Sequence, residues 1–328
     1  MKSTELAGAQ ASGGRSARQE FDHRINIKLE RELGPLVCEL LQDPSVQEIM
    51  LNPDGTLWVD RHGEQMKPVG TMSAAQAESL MGTVASTLKT QITAENPILE
   101  CELPLDGSRF EALIPPLVAA PTFTIRRKAS AIFTLDDYVS SGIMTPEQCA
   151  IIKRAIANKK NILVVGGTSS GKTTLTNAII DYMPQCSPHD RIVIIEDTGE
   201  LQSSAKNVVQ LRAVDHVNMT RLLKATLRLR PDRILVGEVR DGAALALLKA
   251  WNTGHPGGAA TVHANSAIAG LIRLQQLVAE ATQAPMHTLI AEAVDYVVMI
   301  ERTETSRRIK EIVEVTGHDG VNYLTNTL

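Results

Sequence analysis

The chain has 328 residues, of which 43 % are hydrophobic and 21 % charged, a balance that suits two folded domains of ordinary size. A formal net charge of -4 argues against a dedicated nucleic-acid binder, which carries a basic excess, although a local basic patch is compatible with it. No apolar run approaches the roughly 18 residues that cross a bilayer. Cys38, Cys101, Cys149 and Cys186 are too dispersed for a zinc site and too few for a disulfide framework, so reduced thiols of the cytosol are expected.

Met1 to Glu20 is rich in Ser, Gly, Ala and Gln and lacks the apolar core of a signal peptide. It reads as part of a flexible leader over residues 1–24. From Ile25 to Asp43 the residues Ile25, Leu29, Leu33, Leu36, Val37, Leu40 and Leu41 recur at helical spacing, and Asp43-Pro44 ends the segment. Short strands are expected at Glu48–Leu51, Leu57–Asp60 and Glu64–Pro68, separated by Asn52-Pro53-Asp54-Gly55 and His62-Gly63. Ser73 suits the N-cap of a helix running to about Lys89, and Arg109–Pro115 and Thr122–Arg127 read as strands. Residues 25–130 therefore form a smaller α+β domain with a mostly antiparallel sheet.

Residues 131–145 read as a linker. Thr145 then caps a helix with Pro146 at its first position and Gln148 at the capping-box position. Beyond it, over residues 146–328, four short apolar strands alternate with helical segments: Ile162–Val165, Ile192–Ile195, Ile234–Val236 and Ala259–Val262. That alternation predicts an α/β domain with a parallel sheet covered by helices.

The first of these strands runs into Gly166-Gly167-Thr168-Ser169-Ser170-Gly171-Lys172-Thr173, followed by Thr174 at the start of a helix. The segment matches GxxxxGK[ST] at every fixed position and in the required strand–loop–helix context. Glycines let the backbone turn its N–H groups around phosphate oxygens, and the helix start adds a positive dipole end. Lys172 is a compact cation for the β- and γ-phosphates, and Thr173 offers a hydroxyl to Mg²⁺. An ordinary glycine loop is the bland alternative, and the context weighs against it.

Ligands of open parallel sheets bind outside the carboxyl ends of the strands. One such end carries Glu196-Asp197 with Glu200 following, another Gly237-Glu238, and a third His263. Glu238 is the leading candidate for the carboxylate that orients the attacking water. Its strand has no aspartate at the usual Mg²⁺-holding place, which leaves Glu196, Asp197 or Glu200 for that role. His255 and His263 bracket a glycine-rich turn; they are either γ-phosphate sensors, bridges to a neighbouring chain, or structural hydrogen-bonding residues. Arg109, Arg126 and Arg127, taken alone, read as solvated charges on strands of the first domain.

In their order along the chain these segments resemble the traffic ATPases of type II and type IV secretion, type IV pili and conjugation. Gly166–Thr173 is similar to the family's phosphate loop, and Arg191–Glu200 to its acidic box. Leu227–Asp241 resembles its second nucleotide motif, and Thr253–Asn265 its histidine box. In the first half, Asp106–Glu111 and Phe123–Lys128 carry the likeness. The short chain, without a tetracysteine insertion, is closer to the type IV, conjugative-transfer branch. The resemblance implies a RecA-like ATPase domain, ATP and Mg²⁺ as ligands, a ring that is commonly hexameric, and membrane-embedded secretion components as partners. It implies phosphate contacts from Arg109, Arg126 and Arg127, and roles in the site or interface for Arg228, Arg230 and Arg240. It also strengthens His255 and His263 as sensors. The expected location is the cytoplasm, with peripheral attachment to the inner membrane and no direct DNA binding. A small-molecule kinase would need an acceptor pocket and an arginine-bearing lid, and a DNA translocase a basic excess; neither is evident. Asn158-Lys159-Lys160-Asn161 lacks the aspartate of a guanine-reading loop, which leaves adenine as the expected base.

Overall fold

A computed structural model describes residues 17–61, 63–128, 132–214, 216–303 and 306–328. Most of the expected leader and His62 lie outside those residues. The chain divides into two compact units, Met1–Lys128 and Ala129–Leu328.

The first unit opens with α1 (Ala17–Gln42), whose helical phase is interrupted at Gly34, held at φ 79° before Pro35. The helix thus begins eight residues before Ile25, the first residue of the apolar periodicity, since Ala17–Arg24 is mostly polar. The unit then runs β1 (Val46–Leu51), β2 (Thr56–Arg61), β3 (Lys67–Thr71), α2 (Ala74–Thr87), β4 (Ile98–Glu102), β5 (Arg109–Leu113) and β6 (Thr122–Arg126). Ser73 caps α2 by accepting from the Gln76 N–H at 3.2 Å. The strands form one antiparallel sheet in the order β3-β2-β1-β6-β5-β4. Alternate residues such as Ile49, Val59, Phe110 and Ile125 are buried with Leu29, Leu33 and Leu80 of the helices. β3 starts at Lys67, not Glu64, and the two residues form an exposed ion pair across the turn.

In the second unit, the span expected to be a linker contains α3 (Leu135–Ser140). Thr134 and Asp137 close a full capping box there, and Leu135 and Tyr138 are buried. α4 (Pro146–Ala157) has the expected Thr145–Gln148 box. There follow β7 (Ile162–Gly166), α5 (Lys172–Cys186), β8 (Ile192–Glu196), β9 (Val208–Arg212), α6 (Met219–Thr226), β10 (Arg233–Val236), α7 (Ala243–Asn252) and β11 (Ala259–His263). The chain ends with α8 (Ala267–Ala279), α9 (His287–Ala293), β12 (Tyr296–Arg302), β13 (Arg307–His318) and β14 (Tyr323–Thr327). The sheet order is β14-β13-β12-β7-β11-β10-β8-β9. β12, β7, β11, β10, β8 and β9 pair in parallel, and β13 and β14 join antiparallel at one edge. Four of these eight strands were not expected from the sequence.

Along β7, Leu163 and Val165 pack with α7, α8 and α9 on one face, while Ile162 and Val164 pack with α4 and α5 on the other. Burial on both faces explains why the central strands read as unbroken apolar runs. At the edge where these strands begin, Arg233 is wholly buried. Its guanidinium donates to Asp190 at 2.7 Å, to the carbonyls of Gly257 and Ile156 at 3.1 and 3.2 Å, and to Ser187 Oγ at 3.3 Å. Asp190 also holds Lys159 at 2.9 Å, so it keeps a partner when the guanidinium is removed. Arg233→Ala still leaves two buried carbonyls without this donor and should lower the unfolding free energy by about 2–4 kcal/mol, measured as a lower urea midpoint at unchanged slope. A loss below about 1 kcal/mol would mean that water reaches the vacated carbonyls.

Candidate nucleotide site

The loop after β7 is shaped by two close approaches. A Cβ on Gly166 would collide with the carbonyl oxygen of Ile300 and with Ser170 Oγ. Gly171 sits at φ 98°, and a Cβ there would lie 3.0 Å from Cδ of Arg307. Between them Ser169 is held at φ 54°, a left-handed conformation that curls the loop. α5 starts directly after Gly171 with no side-chain cap, so its first N–H groups point into the loop.

Lys172 is 7 % exposed, and its ammonium donates to the carbonyls of Gly166 and Gly167 at 3.1 and 2.8 Å. It also lies 3.2 Å from Nδ1 of His263. An ammonium has no lone pair, so that ring nitrogen is the acceptor and the ring proton sits on Nε2. Nε2 in turn lies 2.9 Å from Oε1 of Glu238. The other oxygen of Glu238 accepts from Arg240 at 2.7 Å, and Arg240 reaches Asp197 at 2.8 Å. Contacts thus run unbroken from the loop lysine through His263 and Glu238 to the acidic segment. A cavity of about 380 Å³ adjoins them, lined by Glu238, Val239, Arg240, Val262, His263 and Arg273.

The strand register produces this meeting. His263 pairs with Gly166 across β11 and β7, and Val236, the residue before Gly237-Glu238, pairs with Ala260 on β11 and Ile195 on β8. Gly237 is required by Glu196, whose Cγ would lie 3.0 Å from a Cβ at 237. The three acids of the β8 end have separate surroundings. Glu196 is buried and accepts from the N–H groups of Glu200 and Leu201 at 3.0 and 2.8 Å. Burial pushes its carboxyl up to about 7, the two N–H groups pulling the other way. Glu200 accepts from the Thr173 hydroxyl at 3.1 Å, and Asp197 pairs with Arg240.

These residues fit a nucleotide phosphate. Ser170 Oγ is buried, lies beside Gly166 and has no hydrogen-bond partner among the described residues. With the uncapped N–H groups and Lys172 it offers donors to an anion. No group of three or more His, Cys, Asp or Glu side chains suited to a metal exists among the described residues. A cation here would rest on Thr173, with Glu200 the nearest carboxylate, and on phosphate oxygens.

Other expected residues lie elsewhere. His255 is 3.2 Å from the Ala250 carbonyl, before the start of β11, at the opposite edge of the sheet from His263. Arg228 and Arg230 also precede a strand start, that of β10. In the first unit Arg109 and Arg126 are register partners on β5 and β6, and Arg126 pairs with Glu48 at 3.2 Å. Arg127 instead donates to the carbonyls of Asp43 and Val46 and fixes the turn between α1 and β1. Sequence reasoning missed Arg307 against Gly171, because β13 reaches the loop only through pairing with β12. No local periodicity marks it, since Arg307-Arg308-Ile309-Lys310-Glu311-Ile312-Val313 does not alternate.

A family model described as type II/IV secretion system protein matches residues 30–318. A probable conjugal transfer protein TrbB of Sinorhizobium fredii is 56 % identical over 292 residues, covering 89 % of this chain and 90 % of that protein. The conjugal transfer protein TrbB of Rhizobium radiobacter is 52 % identical over 302 residues, covering 92 % and 94 %. The X-ray structure of the Legionella pneumophila ATPase DotB superposes with a TM-score of 0.61 at 20 % identity, over 84 % of this chain and 79 % of that one, a likeness of fold.

The elevated Glu196 carboxyl couples to stability. Its ordinary value is 4.5 and its folded value about 7, so folding takes up a proton between them. The stabilising contribution is complete below the lower value and is lost as pH rises through the upper one. Glu196→Gln keeps an acceptor for both N–H groups and should flatten the decline of the thermal midpoint across that window. Parallel pH profiles for the two proteins would show that Glu196 is ionised throughout.

Proposed function

The chain belongs to the type II/IV secretion system protein family, and from that premise we propose that it is a ring-forming traffic ATPase that energises a type IV secretion or conjugative-transfer machine. The observation that carries this reading is the run of contacts Lys172–His263–Glu238, at 3.2 and 2.9 Å. It joins the residue that would bind the terminal phosphates to the carboxylate that would orient water. The identity to TrbB proteins supports the conjugative branch, and the fold is taken as RecA-like.

Hydrolysis follows from these residues as electrostatics and positioning. The loop N–H groups, Ser170 Oγ and the start of α5 hold the β- and γ-phosphates. Lys172 exchanges its two carbonyls and His263 for phosphate oxygens, which draws Nδ1 of His263 out of its contact. Glu238 then orients a water in line with the bond to the β-phosphate oxygen. That water forms the new bond to the γ-phosphorus as the bond from the γ-phosphorus to the bridging oxygen breaks, its electron pair staying on ADP; the water's proton passes to Glu238 and on to solvent, and ADP and inorganic phosphate leave. Mg²⁺, when bound beside Thr173 and Glu200, would neutralise charge developing on the phosphate oxygens. Arg240 holds Glu238 against Asp197 and sets its direction. Arg109 and Arg126, side by side on one sheet, are our candidates for phosphate contacts from the first unit. Arg127 and His255, occupied with backbone carbonyls, are left with structural roles.

No helix among the described residues is long and apolar enough to cross a membrane. We place the protein in the cytoplasm, docked peripherally on membrane components, and assign it no direct DNA binding.

Lys172→Ala should lose nucleotide binding or turnover, whereas Glu238→Gln should keep binding and lose hydrolysis by about 10²–10⁴-fold, measured as phosphate release at saturating ATP and Mg²⁺. Normal hydrolysis by Glu238→Gln would remove Glu238 from its role. The rate per chain should also rise with protein concentration as large particles form, with light scattering recorded on the same samples. Full activity in a monomeric sample would sink the ring.

A further inference from the structure

The surface charge of the second unit is not evenly spread. Between residues 203 and 231 the chain carries Lys206, Arg212, Arg221, Lys224, Arg228 and Arg230 against the single acid Asp215, in a protein of net charge -4. The structure collects these cations beside the sheet's free edge strand, β9, and along α6. Arg221 and Lys224, three residues apart, share one face of α6, and Arg228 follows in the turn after the helix. Arg191 ties the two elements together, donating to Asn207 at 2.6 Å and to the Leu229 carbonyl at 2.8 Å.

Several other cations of this unit stand against acids: Lys153 with Asp136, Lys159 with Asp190, Lys160 with Asp295, Arg308 with Glu301. Among the described residues, Lys206, Arg221, Lys224, Arg228 and Arg230 make no ion pair. Two apolar side chains, Val214 and Leu227, stand 49 % and 44 % exposed among them. A basic edge also discourages strand-to-strand aggregation, but that purpose does not call for exposed apolar residues beside it.

The opposite charge stands on the first unit. Its free edge strand β4 displays Glu100, with Glu95 just before it, both exposed. Glu100 faces Glu111 across the β4–β5 ladder. Burial and the charge of Glu100 raise the Glu111 carboxyl, the mark of negative charge gathered at this edge. Ile98 of the same strand is 51 % exposed, so here too an apolar side chain stands among unpaired charges.

We infer that the basic face of β9 and α6 on one copy of this chain receives the acidic β4 edge of a second copy. The two faces differ, so each subunit offers one of each, and such heterologous contacts close into rings. The inference rests on the ring reading above and specifies which surfaces join.

The test is a charge swap in the full chain. Arg221→Glu with Lys224→Glu makes both faces acidic; Glu95→Lys with Glu100→Lys makes both basic. Each double variant alone should raise the concentration of half-assembly by about tenfold or more, because like charges then oppose each other. An equimolar mixture should reassemble, since each variant's altered face meets the other's complementary one, and an even-numbered ring can alternate them. Sedimentation velocity reads the assembly, and nucleotide binding by each variant confirms its fold. Double variants that assemble and hydrolyse ATP like the wild type would overturn the inference and leave the ring ATPase standing. Loss of assembly without rescue in the mixture would overturn it too, and would place the acidic partner within the same chain. A basic-face variant that assembles normally but no longer binds DNA or anionic vesicles would hand this face to a polyanion instead. A wild-type chain that stays monomeric at every concentration would end both readings.

Discussion

The parallel register between β7 and β11 is the constraint from which the site follows. Pairing of Gly166 with His263 sets the end of one strand level with the start of the phosphate loop. Both strands are buried on both faces, so a slip by one residue would exchange every side chain between two packed layers. Register is therefore fixed by the cores, and the positions of Lys172, His263 and Glu238 are fixed with it. Loops supply the reactive groups, but the aliphatic residues at 162–165 and 259–262 decide where those groups meet.

The same buried frame sorts the charges. Glu196 is buried at the end of β8, satisfied by backbone N–H groups and raised by burial. Glu238 and Asp197 lie further out and share Arg240. Three neighbouring acids thus have three sets of partners: Glu196 the backbone N–H groups of residues 200–201, Glu238 both His263 and Arg240, and Asp197 the same arginine. Gly237 is the price of that arrangement, since the Glu196 side chain fills the space a larger residue would need.

Much of this was legible in the sequence because it is local. A strand, a glycine loop and a helix start lie within fifteen residues, and Glu196, Glu238 and His263 each lie at or within two residues of the end of an apolar strand, with Glu200 four residues beyond Glu196. What was hidden depends on pairing across the fold. β13 and β14 mix polar and apolar residues near a sheet edge and so lack the apolar-run signature of the central strands; β12 does carry it, at Val297–Ile300, but no turn or motif residue sets it apart from the helix before it. β4 is five residues long, and only Leu99 is fully buried. His255 and His263 looked alike in sequence; their separation depends on which end of β11 each occupies. Arg127 follows Arg126 directly, and the alternation of a strand sends the two side chains to opposite faces, one to a carboxylate and one to a turn. α3 was concealed in an apparent connection because six residues are too few to show a helical period.

The lysine held by its own loop has a consequence for selectivity. Before any ligand arrives, Lys172 already has two carbonyl partners and an imidazole nitrogen. An anion that takes the ammonium has to offer it oxygens in exchange for these three partners. How well a guest fits is then a matter of how many acceptors it presents to Lys172, and not of its charge alone.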